Sequence, residues 1–489
     1  MRRRIIPNSR HLKNDLGTFS VSVGRLCHSR PFDERPQSRS HDNASLFSIV
    51  SWPLFFSFLL TVLSILSACK SHYSEPVTLT FLDPEWSNND RGLFPDVVLQ
   101  EFTRQTGIRV QHLPAPETDE ARIALIDHLL KMGESGPDLY SLDVIWPGMF
   151  ADNLVDLGPY FQSTELTNDP AVKRNFVIGG KLLGVPYHAL VGALYYRADL
   201  LQKYGYTHPP RTWNELETMA SRIQQGERTD GKKDFWGFVW PGATSEGLLC
   251  NALEWQGSEG GGQIIEPNQE ISVNNPAAIR SWERAKGWIG RISPPATLLY
   301  QEPDTINTFA YAGNAAFLRG WTSDDLLLHP RAGSVPSWEG VTSVPGSTEA
   351  RTATLGGSGL AVSKASTHRS EAIQLIHFLL EKDAEAAANS SKLVYRELYE
   401  LPDPLKAYPR LRRGRPNRGA EVVVRPSSVV PRKYDAVASA YARAVHSVLT
   451  GQAKGDVAAA ELEDTLRTIT GFQIESKAGA KLKFKSKRK

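Results

Sequence analysis

The 489-residue chain contains only three cysteines, Cys27, Cys69 and Cys250. Cys27 precedes a long uncharged stretch and Cys69 ends it, so Cys250 stands alone beyond that point and no disulfide framework is available. With apolar Leu248 and Leu249 beside it, Cys250 reads as a small buried hydrophobe. No His-Glu-x-x-His and no Cys-x-x-Cys occurs, so no metal site has ligands at a workable spacing, and neither metal nor cofactor is expected. The stretch Gly226 to Lys233 (GERTDGKK) has the outline of a phosphate loop, but it lacks the Ser/Thr that would hold magnesium and comes after a helical segment. Gly356-Gly357-Ser358-Gly359-Leu360 carries leucine where a nucleophile elbow needs its last glycine. Carboxylate pairs stay open, since such acids meet only in the folded chain. Asp143, Glu246 and Glu254 therefore keep an exported carbohydrate-active enzyme as an alternative.

Positive charge is also missing from the body of the chain. Residues 1–68 hold 9 Lys/Arg and 4 Asp/Glu, and residues 476–489 hold 7 Lys/Arg and no acid. Removing these 16 basic and 4 acidic groups from totals of 56 and 53 leaves 40 and 49, a net charge of −9. The overall +3 belongs to the two ends. An acidic body argues against a nucleic-acid surface. The basic tail 476–489 reads as a solvated end. At 489 residues the chain exceeds one ordinary core, so two or more lobes are expected.

The most prominent positive feature is an apolar run. From Leu46 to Ala68 there is no charged residue, and the run ends in Leu66-Ser67-Ala68-Cys69. Small residues after an apolar stretch form an export cleavage site. The tetrapeptide resembles the lipobox of bacterial lipoproteins, in which the cysteine receives a lipid and becomes the mature N-terminus. That resemblance makes Cys69 the lipidation residue and 46–69 a signal segment, with the rest of the chain exported and held at a membrane. Residues 1–45 have no strong periodicity and read as a disordered leader or as sequence upstream of the true start.

After Cys69 the pattern alternates. Strands are expected at 77–83, 108–113 and 138–146, with helices near Asp96–Gln105 and Glu120–Met132, which implies βαβ units and a largely parallel sheet. Thr212-Trp213-Asn214-Glu215 is a capping box. Asn275-Pro276 opens another helix. TLGGSGLAVS (354–363) reads as a strand through a glycine bend, followed by a helix over His368–Glu381. Tyr434–Leu449 and Asp456–Thr470 read as an antiparallel helix pair, with Gly451 and Gly471 as stops. Residues 401–420, rich in Pro, Arg and Gly, read as a surface connection.

Six aromatics, Trp86, Trp146, Tyr187, Trp240, Trp255 and Trp321, fall at strand ends or turns beside prolines or polar groups. Rings so placed can stack on the apolar faces of sugars. VPYHALVGALYYRADLL (185–201) then carries a family resemblance, shared in the same order by PDLYSLDVIWPGMF (137–150), YGYTHPPRTWNELE (204–217), EGLLCNALEWQGSEGGG (246–262), AAFLRGW (315–321), ATLGGSGLAVS (353–363) and SVLTGQ (447–452). Over about residues 77–473 the chain resembles the extracellular solute-binding proteins, family 1, of bacterial ABC importers, nearest the trehalose/maltose group.

That resemblance implies an α/β fold of the periplasmic-binding-protein type II, two hinged lobes joined by crossing strands. One lobe would take 75–187 plus 344–388 and the other 188–343 plus 425–473. The implied activity is reversible binding of a carbohydrate, an oligosaccharide, without covalent chemistry. The implied partners are that solute, the subunits of an ABC permease and the bilayer that holds the lipid, with the protein itself a monomer on the extracytoplasmic side. The implied ligand-binding residues are Trp86, Asp143, Trp146, Tyr187, His188, Trp240, Trp321, Gly357, Ser358 and Arg425. Three positions depart from the disaccharide binders: Leu190 stands where an acid is usual, Ser358 where a tryptophan is frequent and Ser245 where a tyrosine is. A hydroxyl–carboxylate hydrogen bond contributes roughly 1.5–3 kcal/mol, so these losses shift the ligand away from maltose or trehalose and keep a polyol phosphate as an alternative.

Overall fold

The computed structural model describes residues 76–83, 96–116, 119–161, 170–322, 339–347, 351–389 and 420–475. Cys69, Trp86, the apolar run, the segment 401–419 and the basic tail lie outside the described residues. Among the described residues, no helix is long and apolar enough to cross a membrane.

The chain opens with β1 (Thr78–Leu82), α1 (Asp96–Thr106), β2 (Arg109–Leu113), α2 (Asp119–Lys131) and β3 (Leu139–Asp143). These match the alternation expected from sequence. After α3 (Pro170–Phe176) and a short hairpin, β4 (Val177–Ile178) with β5 (Lys181–Leu182), comes the 13-residue strand β6 (Val185–Arg197). The middle holds α4 (Ala198–Lys203), α5 (Trp213–Thr229), β7 (Trp236–Val239), α6 (Glu246–Ser258), β8 (Glu270–Ile271), α7 (Pro276–Lys286), α8 (Glu302–Ile306) and β9 (Ala315–Trp321). The remainder comprises β10 (Glu339–Ser343), β11 (Arg351–Val362), α9 (Arg369–Asn389), β12 (Ala420–Val423), α10 (Tyr434–Leu449), α11 (Gly455–Thr470) and β13 (Gln473–Ile474).

The helix starts obey local chemistry. Thr212 Oγ1 accepts from the Glu215 backbone N–H at 3.2 Å, and the Glu215 carboxylate accepts from the N–H of Arg211 rather than from Thr212 itself. Asn275 Oδ1 accepts from the N–H groups of Ala277 and Ala278, with Pro276 in the first turn. Gly471 ends α11 at φ 77°, where a Cβ would be strained.

The main sheet runs β2-β1-β3-β11-β6-β9-β7, with β10 beside β6 and β12 beside β11. Its pairing corrects the expectation of a largely parallel sheet. Parallel pairs occupy the two ends, β2-β1-β3 and β9-β7, where helices return the chain to the same side, and β12 adds one more parallel pair beside the start of β11. The centre is antiparallel, because β11 runs against both β3 and β6, and β6 runs against β9. The long strands β6 and β11 are the crossings. Each begins among the partners of one lobe and ends among those of the other, which is the architecture of two α/β lobes on a shared pair of strands.

The helix-rich lobe is held by aromatic packing. Trp213, Trp240, Trp255 and Trp288 are each at most 2% exposed, and the ring centroids of Trp240–Trp255, Trp213–Trp288 and Trp255–Trp288 lie 5.0, 5.4 and 5.5 Å apart. Such pairs add about 0.5–1.5 kcal/mol each beyond burial. Beside them Glu217 accepts from Arg284, from the Trp288 indole and from Arg291 at 2.8, 2.9 and 3.1 Å. Burial works against its charge, but these donors hold its pKa below the usual 4.5. The stabilisation it contributes is therefore complete above pH 4.5 and fades as pH falls towards the lowered value. Glu217→Gln is expected to lower stability at pH 7 while flattening the loss on acidification below pH 4.5, as read from urea melts across pH.

Candidate functional site

The ends of several elements converge where β3 meets β11. Asp143 is the last residue of β3 and pairs across the sheet with Ser358 of β11, which pairs in turn with His188 of β6. Three polar residues thus share one cross-strand row at the crossing between lobes. Just before Ser358, Gly357 adopts φ +119°, a conformation open mainly to glycine, and its carbonyl accepts from the N–H of Val144. The register shifts between Ser358 and Gly359. Gly357 thus acts through its backbone, kinking the strand where Ser358 sits.

Arg425, shortly after β12, reaches into this place from the connection that leads to α10. It is 4% exposed. Its Nη1 donates to Glu246 Oε1 at 3.0 Å, and its Nη2 donates to Asp143 Oδ1 at 3.3 Å and to the Leu355 carbonyl at 3.2 Å. The Tyr434 hydroxyl donates to the same Glu246 oxygen. Through that guanidinium and the carboxylate it binds, the end of β3, the first residue of α6 and the first residue of α10 are joined. Burial raises the Asp143 pKa from its ordinary value, although Arg425 and the Ile145 N–H oppose it. Burial also opposes the charge on Arg425, yet Asp143, Glu246 and other neighbours hold its pKa well above the ordinary value. The Tyr434 hydroxyl is pushed well above its ordinary range by burial and by Glu246.

A cavity of about 220 Å³ adjoins this network. Ile123, Trp146 and Met149 wall one side, and Glu246, Tyr434 and Arg443 belong to the other. Its walls come from α2 and the segment after β3 on one side and from α6 and α10 on the other, so it lies between the two halves of the fold. Three buried polar atoms close to the network have no partner among the described residues: Trp146 Nε1, Ser358 Oγ and Arg425 Nε. Such atoms are costly when left dry.

The expected residues divide into groups. Asp143, Trp146, Gly357, Ser358 and Arg425 come together, and the His188 backbone lies in the same row. Tyr187 is 7% exposed and packs into the hydrophobic core. Trp240 is a correction: it is fully buried, its Nε1 donates to Ser293 Oγ at 3.0 Å, and it sits inside the tryptophan cluster, so it offers no face to a ligand. Its neighbours Trp255 and Trp288, distant in sequence, supply the packing that a lone Trp-Pro turn does not announce. Trp321 lies apart from the cavity wall, at the end of β9 against Gly356. Of the acids, Glu254 is unavailable. It is fully buried and accepts from Arg319 at 2.7 and 3.1 Å and from the Thr354 N–H at 3.1 Å. The sequence pattern marks Tyr434 only as a helix start. Its hydroxyl gains a role through Glu246, 188 residues away, which no local signal announces.

The sequence profile of the bacterial extracellular solute-binding proteins matches residues 87–386. A probable ABC transporter-binding protein of Deinococcus radiodurans is 38% identical over 375 residues, covering 76% of this chain and 89% of that protein. Among solved structures, maltose-bound MalE3 of T. maritima is 29% identical, covers 80% of this chain and 100% of its own, and superposes with a TM-score of 0.65. A solute-binding protein of Agrobacterium radiobacter in complex with ribitol, 21% identical with a TM-score of 0.62 over 80% of this chain and 98% of its own, shares the fold.

Proposed function

The chain belongs to the bacterial extracellular solute-binding proteins of ABC transporters, and on that premise we propose that it captures a carbohydrate, an oligosaccharide, between its lobes. The observation that carries this reading is the polar network of Arg425, Asp143, Glu246 and Tyr434 beside a cavity walled from both halves. Charge-assisted donors and acceptors suit hydroxyl groups, and the nearly buried rings of Trp146 and Tyr434 border the cavity. The unpartnered Ser358 Oγ and Trp146 Nε1 fit hydroxyls that the ligand brings. The maltose held by the T. maritima relative agrees with this chemistry.

In this reading the lobes comprise 75–187 plus 344–388 and 188–343 plus 425–473, and ligand affinity comes from contacts made only when they close. Cys69 bears the lipid that tethers a monomer beside its permease, and no bond of the solute is broken. Mass spectrometry of the native N-terminus tests the anchor: a lipid-modified Cys69 is expected, and any residue before it would contradict the reading. A thermal-shift screen against maltose, maltotriose, trehalose and D-mannitol tests the ligand class. A ligand at 100 times its Kd adds about 2.7 kcal/mol, so a clear rise in Tm with at least one sugar is expected, and none with any would overturn it.

One observation favours a second ligand. Arg443 contributes to the cavity wall, and a guanidinium there suits a phosphate. A polyol phosphate that raises Tm more than the neutral sugars would support this alternative over the first.

A further inference from the structure

The β6–β11 crossing is narrow. β12 pairs with β11 only as far as Thr354, and β3 pairs with it only from Ser358. On the other side, β9 and β10 pair with β6 only from Gly192 and Ala193 onward. Among the described residues, the sheet therefore thins to a two-stranded neck over the pairs Val191–Leu355, Leu190–Gly356 and Ala189–Gly357. It contains two glycines, and a two-stranded ribbon accommodates more twist than a wide sheet. Left to itself, such a neck would let the lobes swing about it.

A second connection runs beside the neck. Segment 425–433 leads from β12 to α10 and is fastened to the β3 side of the fold along its length. At its start, Arg425 donates to Asp143 at the end of β3 and to the Leu355 carbonyl in the neck itself, at 3.3 and 3.2 Å. Residues 426–428 then pack against α3. Further on, Pro431 lies so close to Gly148 that a Cβ on the glycine would come within 2.5 Å of Pro431 Cβ and 3.1 Å of its Cα. Beside that contact Arg432 pairs with Asp152 at 2.6 Å, both side chains exposed. The far end of the segment belongs to the helix-rich lobe, where Lys433 Nζ donates to the Ile469 carbonyl of α11 at 2.7 Å and Tyr434 opens α10. Gly148 lies between Trp146 and Met149, and Pro431 lies just before Tyr434; those three residues line the cavity, so the Gly148–Pro431 contact borders the cleft.

We propose that segment 425–433 is a strap that holds the lobes together beside the cleft and limits the twist of the neck when no solute is bound. The proposal goes beyond the carbohydrate reading, because it concerns the motion of the lobes and not what they hold. The Gly148–Pro431 contact is the decisive fastening. A proline ring has a fixed φ and cannot turn aside, so any side chain at 148 pushes the strap off the β3 side. The exposed Arg432–Asp152 pair is a weaker fastening, screened by solvent.

The separation of the lobes is measured without ligand. Spin labels are attached through p-acetylphenylalanine at exposed Lys131 of α2 and exposed Glu461 of α11, in the full-length protein with its own cysteines unchanged. Double electron–electron resonance then gives the distance between them. The parent is expected to show one narrow distance. Gly148→Ala is expected to add a longer one and to raise the open-to-closed ratio at least roughly tenfold. Arg432→Glu is expected to raise it by roughly two- to fivefold, and Asp152→Arg combined with Arg432→Glu to restore the parent distribution. The proposal is overturned if Gly148→Ala keeps the parent distance, if Arg432→Glu does so, or if the double reversal leaves the longer distance in place. Should circular dichroism show that Gly148→Ala does not fold, the charge series alone decides. No solute enters this measurement, so a failure of the sugar panel and a failure of the strap are read separately.

Discussion

Gly192→Ala is expected to destabilise the protein by about 3–5 kcal/mol. Gly192 lies in β6 at the point where the crossing strand passes under a buried ion pair. A Cβ there would overlap Glu254 Oε1 and come within 2.7 Å of Arg319 Nη2. Neither side chain has room to withdraw, since both are at most 2% exposed and Glu254 also accepts from the Thr354 N–H. Separating the pair leaves two buried charges unmatched, and that penalty far exceeds the packing value of one methyl. Urea unfolding measures it. A second variant shows that the cause is the pair: in an Arg319→Met, Glu254→Leu background the same alanine should cost much less, because the carboxylate it strikes is gone.

Arg425→Met is expected to abolish ligand binding and to destabilise the protein by about 3 kcal/mol at neutral pH. Methionine preserves much of the apolar stem but leaves Asp143 and Glu246 without their shared cation. The two carboxylates then repel each other with no cation between them, and the Leu355 carbonyl loses its donor. Asp143 sets the pH dependence. Its folded pKa is already raised by burial, so its contribution to stability is present below the unfolded carboxylate pKa and lost as pH rises through the folded one. Without Arg425 the folded value rises further. The deficit of the variant should therefore shrink on acidification, as the carboxyl takes up its proton, and be largest at neutral pH. Parallel urea melts of the two proteins between pH 4 and pH 8 read this directly. A pH-independent deficit would show that the loss is one of packing and not of charge.

Much of the fold was legible from local patterns. The alternation before Asp143, the caps at Thr212 and Asn275 and the stop at Gly471 all rest on interactions within a few residues of one another, and all are present. The central antiparallel pairing was not legible. It depends on β11 returning from far along the chain to lie between β3 and β6, and nothing local in TLGGSGLAVS states its direction. The site was half legible for the same reason. Asp143, Trp146, Ser358 and Arg425 carry their chemistry in their own segments, and the fold brings them close to one another. Trp240 looked like a loop platform because its partners, Trp255, Trp288 and Ser293, come from elsewhere in the chain. Glu254 looked like a candidate acid because Arg319, its buried partner, is 65 residues away. Glu246 acquires its role through Arg425, which approaches from a third direction, and Tyr434 acquires its own through Glu246.

The central claim, that the Arg425 network and the cavity beside it hold a carbohydrate between the lobes, is met most directly by isothermal titration calorimetry. The sugar giving the largest thermal shift is titrated into the parent protein and into Arg425→Met at several temperatures. The account predicts one site per chain in the parent, a negative heat-capacity change from burial of ring and sugar faces, and no measurable heat of binding in the variant. Equal affinity in the two proteins would place the solute elsewhere and contradict it.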